Sequence, residues 1–121
     1  MPERLTSDDT ARRPYIAILV YRTAVEGGHV RARYSEDITL IHERSIEEAR
    51  TRAEMIGRDG ETSYSNEYGE TVSWEFVGIA DVRGALYDDL DSDTGLYTRS
   101  FDDLSQYKNV FSLSSLDGQE A

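Results

Sequence analysis

Residues 14–25 read PYIAILVYRTAV, and this stretch decides the fold. Its apolar side chains fall on both parities, with Tyr15, Ala17, Leu19 and Tyr21 on one and Ile16, Ile18 and Val20 on the other. Successive side chains of a strand point to opposite faces of its sheet, so a strand that is apolar on both faces is covered on both sides. The sequence therefore predicts a central strand, around which the other elements assemble.

The segment after this strand predicts a hairpin. Gly27 and Gly28, followed by His29, supply the positive φ angles that a tight turn requires. From Val30 to about His42, apolar and polar residues alternate, which is typical of an antiparallel strand with one wet face. We expect the dry face to hold Val30, Ala32, Tyr34, Ile38 and Leu40, and the wet face to hold Arg31, Arg33, Asp37 and Thr39.

A helix follows the second strand. Ser45 and Glu48 match a capping box, in which a serine and a glutamate three residues later bond the free N–H groups of the first turn. Apolar residues then recur at helical spacing, at Ile46, Ala49, Ala53 and Ile56. With Gly57 or Gly60 as its end, this helix is long enough to cover one face of a small sheet.

The stretch YSNEYGETVSWEFVGIADV, residues 64–82, predicts a tight turn followed by a core strand. Asn66 and Gly69 suit the turn, because Asn bonds its own backbone two residues on and Gly adopts positive φ. The core side of the strand is expected to hold Val72, Trp74 and Phe76, and then, on the other parity, Val77 and Ile79. A parity change beside Gly78 indicates a β-bulge.

A short final strand is predicted at LYTRSF, residues 96–101. The element order is then β-β-α-β-β, which predicts an α+β fold: a small antiparallel sheet of about four strands with one helix packed on a face. The expected domain organisation is a flexible N-terminal tail at 1–13, a single α+β domain at 14–105, and a C-terminal tail at 106–121. This second tail carries apolar residues through which it could dock, namely Val110, Phe111 and Leu113.

The chain of 121 residues contains no cysteine, which excludes disulfides, thiolate catalysis and cysteine-ligated zinc. No apolar run approaches the roughly 18 residues that a membrane helix needs, and the N-terminus lacks the apolar core of a signal peptide. We therefore expect a cytoplasmic protein with no membrane partner.

The net charge of −11 comes from one half of the chain. Acidic and basic side chains balance over residues 1–58, whereas residues 59–121 hold fourteen acidic side chains against three basic ones. Such a surface repels nucleic-acid phosphates and attracts basic partners. The alternative interpretation is an acidic surface that serves solubility alone.

The acidic run DDLDSDTG, residues 88–95, has two interpretations. Its alternate aspartates resemble the first ligands of a calcium loop, but Thr94 and Ser100 stand where such a loop needs glycine and glutamate. The other interpretation is a solvated loop in which aspartates form turns. We predict an acidic surface without a bound metal, formed by Asp88, Asp89, Asp91 and Asp93.

Aromatic residues around the single tryptophan form a second candidate site. A ring or a peptide could bind there, because aromatic side chains dominate binding hot spots. The residues of this candidate contact site are Tyr64, Asn66, Tyr68, Trp74 and His42. Alternatively, the loop residues only shape the turn and pack over the sheet edge. The sequence contains no glycine-rich phosphate motif and no nucleophile elbow, so we predict no catalytic residue and no cofactor.

Several of these segments together resemble a bacterial family of domains of unknown function, DUF4288. The sharpest matching pieces are Tyr64 to Val72, Trp74 to Ile79 and Asp81-Val82. Others are Tyr15 to Tyr21, Ile38 to Ile41, Ile46 to Ile56 and Gly95-Leu96-Tyr97-Thr98-Arg99, in which Thr98 replaces an expected serine. The resemblance spans about residues 14–101 and implies a bacterial origin and a small α+β domain. It supplies no catalytic residue.

Two functions remain open at this point. The first is a non-enzymatic interaction or accessory protein, including an immunity-like role, that offers an acidic surface to a basic protein partner. The alternative is a small-molecule-binding domain or enzyme that uses a groove beside Trp74. A homodimer formed through a sheet edge or the C-terminal tail is compatible with both.

Overall fold

The computed structural model describes residues 12–27, 31–111 and 113. In chain order its elements are β1 (Arg13–Val25), β2 (Arg33–Glu43), α1 (Ile46–Asp59), β3 (Thr62–Ser65), β4 (Thr71–Gly84) and α2 (Leu104–Val110). Most of the predicted N-terminal tail, the turn residues Gly28, His29 and Val30, and residues 112 and 114–121 lie outside the described residues.

β1 is the central strand, as its two apolar faces predict. The four strands form one antiparallel sheet in the order β2-β1-β4-β3. Ile16, Ala17, Ile18 and Leu19 of β1 are at most 3% exposed, so the strand is covered on both faces. The fold is α+β, with a four-stranded antiparallel sheet and α1 packed on one face, which confirms the predicted class.

Two segments differ from the sequence-based assignment. Where the sequence predicts only a loop and a tight turn, Thr62–Ser65 forms the edge strand β3, and β4 returns along it after the turn at Gly69. This strand is exposed on both faces, and for that reason its polar sequence TSYS lacks the apolar alternation of a core strand. Residues 96–101, predicted as a strand, have no regular structure, because they cross the sheet instead of extending its edge.

α1 begins and ends where the sequence predicts. The Ser45 Oγ accepts a hydrogen bond from the Glu48 N–H at 3.1 Å, which confirms the N-cap, and Gly60 is the C-cap. Small side chains on one stripe of α1 let it approach the sheet closely. The buried core between α1 and the sheet consists of Ala17, Leu19, Tyr21, Ile41, Ala49, Ala53 and Val82.

Tyr21 joins α1 to the centre of the sheet. Its hydroxyl donates a hydrogen bond to the Gly57 carbonyl at 2.9 Å, in the last turn of the helix. Its ring packs against Trp74 and Phe76, with centroid separations of 6.2 and 5.6 Å. Burial and, to a lesser degree, nearby carboxylates raise the pKa of Tyr21. The hydroxyl therefore keeps the proton that it donates to α1.

β4 carries two extra residues relative to β1. Its register shifts once at Val77 and once at Ala80. The first shift is the β-bulge that the sequence predicts beside Gly78, but Val77 is itself the extra residue and is 57% exposed, so it does not continue the core side. The second shift returns Val82 to the buried face below α1.

The alternate apolar residues of β2 lie on the side of the sheet away from α1. Tyr34, Ile38 and Leu40 pair with the second apolar face of β1 and are 65, 59 and 45% exposed. Ile41, on the opposite parity, faces α1 and is buried. The prediction that Tyr34, Ile38 and Leu40 lie on the buried face of β2 is therefore wrong. Because β1 is apolar on both faces, the hairpin register alone decides which face of β2 meets α1.

We predict that Gly57→Ala destabilises the fold. A Cβ at this position would overlap the Phe76 ring. Adding a methyl group to a packed core costs roughly 1–3 kcal/mol, against about 1 kcal/mol gained in helix propensity, so the net loss is on the order of 1 kcal/mol. Urea denaturation followed by Trp74 fluorescence measures it. Gly84→Ala is the matched control, because its Cβ would meet nothing within 4 Å; an equal loss in both variants would contradict the close packing.

Candidate functional site

The chain after β4 crosses the sheet face that α1 leaves open. We call residues 96–101 the strap. The Tyr97 hydroxyl donates a hydrogen bond to the Asp81 carboxylate of β4. Arg83, also on β4, donates from its Nη1 atom to the Thr98 carbonyl at 2.8 Å. These two contacts fasten the start of the strap to β4.

The strap reaches β2 at its other end. Arg99 Nη1 lies 3.9 Å from the Glu36 carboxylate. Since Glu36 belongs to β2 and Asp81 to β4, the strap spans the width of the three long strands. Ile18, at the centre of this face, is buried although its neighbour Ile38 is exposed. The strap therefore covers the middle of the sheet and leaves the β2 side open.

Asp81 is the electrostatic centre of the attachment. Its carboxylate accepts hydrogen bonds from the Tyr97 hydroxyl and from Arg83 Nε, the latter at 2.8 Å. The Tyr97 hydrogen bond, together with the Arg83 charge, lowers the pKa of Asp81 against the opposing effect of burial. Burial and then the Asp81 carboxylate raise the pKa of Tyr97. Asp81 therefore stays ionised and Tyr97 stays protonated, which are the states in which the hydroxyl donates to the carboxylate.

α2 follows the strap, and its Tyr107 forms a row of aromatic side chains with Phe101 before the helix and Phe111 after it. The Asp103 carboxylate caps the helix by accepting hydrogen bonds from the N–H groups of Ser105 and Gln106 at 3.0 and 3.3 Å. The ring of Tyr107 stacks on Phe101 with a centroid separation of 4.7 Å and contacts Phe111 at 5.2 Å. None of the residues of α2 is buried. Clustered apolar exposure of this kind is typical of a binding surface.

A wide groove lies between the open part of the sheet, the strap and α2. Its volume is about 1100 Å³. The apolar lining consists of Ile18, Ile38, Tyr97, Phe101, Tyr107, Val110 and Phe111. Carboxylates also line it, at Glu36, Asp102 and Asp103, with Arg99 as the one cation among its lining residues. The groove can accept an apolar group that is accompanied by positive charge.

The acidic residues predicted as a surface lie in the loop between β4 and the strap. A hydrogen bond from the Leu86 N–H to the Leu96 carbonyl, 3.2 Å long, closes this loop. Asp88 pairs with Arg13 at 2.9 Å, and Asp89 accepts a hydrogen bond from the Asp91 N–H at 3.0 Å. All four predicted aspartates are exposed. Across the part of the chain that the structure describes, no three His, Asp or Glu side chains converge as a metal site.

The turn before the tryptophan strand uses Asn66 as its framework. The Asn66 Oδ1 atom accepts hydrogen bonds from the N–H groups of Tyr68 and Glu70, both at 2.9 Å. Its Nδ2 atom donates to the Glu70 carboxylate at 2.9 Å, and Gly69 has a positive φ of 76°. The amide of Asn66 is thus engaged within the turn, as the structural interpretation of the loop predicts. Tyr64 and Tyr68 remain exposed.

The structure does not bring the whole predicted aromatic site together. Trp74 lies opposite Thr23 and half-buried against Tyr21, whereas His42 lies opposite Pro14. Those two positions are nine residues apart along β1, which corresponds to about 30 Å along the strand. Tyr64 is diagonal to Trp74 on the α1 face, so only these two residues of the predicted set are close neighbours there.

The aromatic wall of the groove is the part that sequence reasoning misses. Phe101 and Tyr107 fall on either side of the predicted domain end at residue 105, which lies inside α2. An available signal is Asp103, an N-cap residue that precedes a short helical segment. The apolar residues of the predicted tail point to a contact surface, but only the fold shows that Val110 and Phe111 share a groove with Ile38 of β2.

These features define a small α+β domain in which the helix α1 covers one face of a four-stranded sheet while a strap crosses the other. The chain belongs to the family described as Domain of unknown function (DUF4288), whose model matches residues 14–98. The match confirms the resemblance, and two of its motifs meet in the structure through the contact between Asp81 and Tyr97. Searches of curated proteins and of solved structures returned no match.

Among the described residues, neither α1 nor α2 has the length and apolar character needed to cross a membrane.

We predict that Asp81→Asn weakens the strap attachment and removes a pH-dependent part of the stability. Losing charge-assisted hydrogen bonds costs about 1–2 kcal/mol at neutral pH. The pKa of Asp81 is lowered by folding, so its contribution is fully present above the unfolded value of about 4 and is lost as the pH falls through the folded value. Below about pH 4 the wild type should therefore lose stability more steeply than Asp81→Asn.

Urea denaturation of both proteins at neutral and acid pH, followed by Trp74 fluorescence, measures this difference. Asp93→Asn is the control, because Asp93 is an exposed carboxylate of the acidic loop. A parallel pH dependence for wild type and Asp81→Asn would rule out the role of the Asp81 carboxylate.

Proposed function

We propose that the protein is a non-enzymatic interaction protein that presents an acidic surface to a basic protein partner. The observation that carries the proposal is the groove of about 1100 Å³, which combines exposed aromatic side chains with carboxylates. Aromatic residues supply the apolar contact area of protein interfaces, and neighbouring charges select the partner and speed its approach.

The apolar part of the surface supports a macromolecular partner. Val110 is 72% exposed, and Phe101 and Phe111 are about half exposed, although all three are apolar. Apolar side chains of this size that remain in water side by side gain free energy when a partner covers them. They lie on the rim and wall of an open groove, where an extended or helical segment of a partner has access.

The charge of the groove lining and of the acidic loop before the strap supports a basic partner. From Asp88 to Asp103 the chain carries six aspartates and a single arginine, Arg99. Arg99 itself lies near Glu36, and Arg13 pairs with Asp88. The remaining carboxylates of this segment leave a negative potential that attracts lysine and arginine side chains and weakens as salt is added.

In its most specific form the proposal is an immunity-like role in the cytoplasm of a bacterium. A small acidic domain neutralises a basic enzyme by occupying the cleft that binds the enzyme's anionic substrate. The genes that neighbour this one test that form directly, because a toxin and the protein that neutralises it are expected side by side.

The alternative function, a ligand site beside Trp74, has less support. The Asn66 amide is engaged within its own turn, and His42 lies about 30 Å from Trp74 along the sheet. Tyr64 and Trp74 alone offer one small aromatic patch. The groove on the opposite face is lined by four aromatic side chains and three carboxylates.

We predict that removing three charges of the acidic loop reduces partner capture. The variant is Asp89→Asn/Asp91→Asn/Asp93→Asn, whose side chains are exposed and keep an oxygen acceptor. Three exposed charge pairs together correspond to about a tenfold change in affinity. Immobilised wild-type and variant chains are compared for proteins captured from the host lysate at low and at high salt, quantified by mass spectrometry.

The matched control is Glu26→Gln/Glu47→Gln/Glu67→Gln, which changes the net charge equally at exposed sites outside the acidic loop. We expect the wild type and the control to retain a basic protein at low salt. The acidic-loop variant should retain less of it, and high salt should release it from all three chains. Capture that is insensitive to salt, or that falls equally in both variants, would argue against an acidic binding surface.

A further inference from the structure

β2 forms one edge of the sheet over its full length. It runs for 11 residues, Arg33–Glu43, and pairs with β1 without a register shift. Within the described residues, no strand pairs with its outer side. An edge of this kind presents a row of N–H and C=O groups that can form a ladder with another strand.

The two edges of the sheet are protected differently. β3, at the opposite edge, has only 4 residues, and shortness is one of the common means by which proteins prevent edge pairing. β2 contains no proline, glycine or lysine and no bulge. It also carries exposed Tyr34, Ile38 and Leu40 on one face. A long, regular edge flanked by apolar side chains is suited to strand addition.

We infer that β2 pairs with β2 of a second copy of this chain, in an antiparallel ladder about a two-fold axis at Ile38. The two four-stranded sheets then become one continuous sheet. Opposite pairs across the axis are Arg33 with Glu43, Tyr34 with His42, Ser35 with Ile41, Glu36 with Leu40, Asp37 with Thr39, and Ile38 with itself. A ladder of this length extends for about 36 Å.

The charges of β2 select this register. The strand begins with Arg33 and ends with Glu43, so full antiparallel overlap sets opposite charges against each other at both ends. The two inner carboxylates lie opposite neutral side chains. Moving the axis to Glu36 or Asp37 would place two identical carboxylates directly opposite each other and would lose the end pairs. Like charges in that position destabilise a ladder.

Ile38, the apolar residue at the centre of β2, gains a cover in this arrangement. It meets its own copy at the axis, with Leu40 two residues away on the same face, whereas Tyr34 lies opposite His42. Glu36 and Ile38 also line the groove, so the grooves of the two copies adjoin at the axis. The dimer would thus present one long binding surface in place of two separate ones.

Salt should strengthen this dimer, whereas it weakens the binding of a basic partner. Each copy has a net charge of −11, so two copies repel each other at long range. Salt shortens the reach of that repulsion from about 10 Å at 0.1 M to about 3 Å at 1 M. Self-association therefore strengthens as salt rises, whereas the binding of a basic protein weakens. The inference and the proposed function can succeed or fail separately.

Sedimentation equilibrium of the full chain at low and high salt tests the inference. We expect a species of twice 13.7 kDa whose share rises with salt. Arg33→Glu and Glu43→Arg should each weaken the dimer about tenfold, because each sets like charges opposite at both ends. An equimolar mixture of the two variants should restore the affinity, since both ends of the mixed dimer again set a glutamate against an arginine.

Two controls accompany the charge exchange. Arg50→Glu on the exposed side of α1 makes the same charge change as Arg33→Glu and should leave the dimer unchanged at high salt, where the long-range repulsion is screened. Circular dichroism and Trp74 fluorescence report whether each variant is folded. A chain that stays monomeric at high salt overturns the inference. A dimer that the two reversals do not weaken, or that their mixture does not restore, overturns the β2 edge as its contact.

Discussion

The position of α1 depends on one buried hydrogen bond, from the Tyr21 hydroxyl to the Gly57 carbonyl. Tyr21 lies on the central strand, so the backbone of α1 must lie close enough to the sheet for the Gly57 carbonyl to meet the Tyr21 hydroxyl. Only small residues permit that approach, and a Cβ at Gly57 or at Gly60 would collide with Phe76 or with Tyr21 itself. One requirement, the close approach of α1 to the sheet, therefore determines the position of the helix, its two glycines and the aromatic cluster below them.

The second face of the sheet is organised by a different kind of contact. β1 is apolar on both faces, but α1 can cover only one of them. A strap without regular structure covers the centre of the other face, held by the Asp81 carboxylate and by Arg83. Polar attachment at one side leaves the apolar side chains of β2 uncovered. The groove and the unpaired edge both follow from that incomplete cover.

The sequence was sufficient for the central strand, the capped helix and the bulge, because periodicity, N-cap chemistry and glycine act locally. It could not decide which parity of β2 faces α1, since β1 offers an apolar surface to either. The sequence did not predict β3 or the course of the strap, because apolar residues recur at no regular spacing in either segment. Of the candidate site, the turn chemistry of Asn66 could be predicted, whereas the neighbours of Phe101 and Tyr107 depend on a crossing of the sheet that no local pattern encodes.

The strap has a consequence for how relatives of this protein can diverge. The family match ends at residue 98, just after the Tyr97 contact with Asp81, and the aromatic wall of the groove begins at Phe101. The shared domain is thus structurally complete before that wall starts. A relative could exchange everything after the Tyr97 contact for another sequence without disturbing the sheet, and would acquire a different recognition surface on an unchanged scaffold.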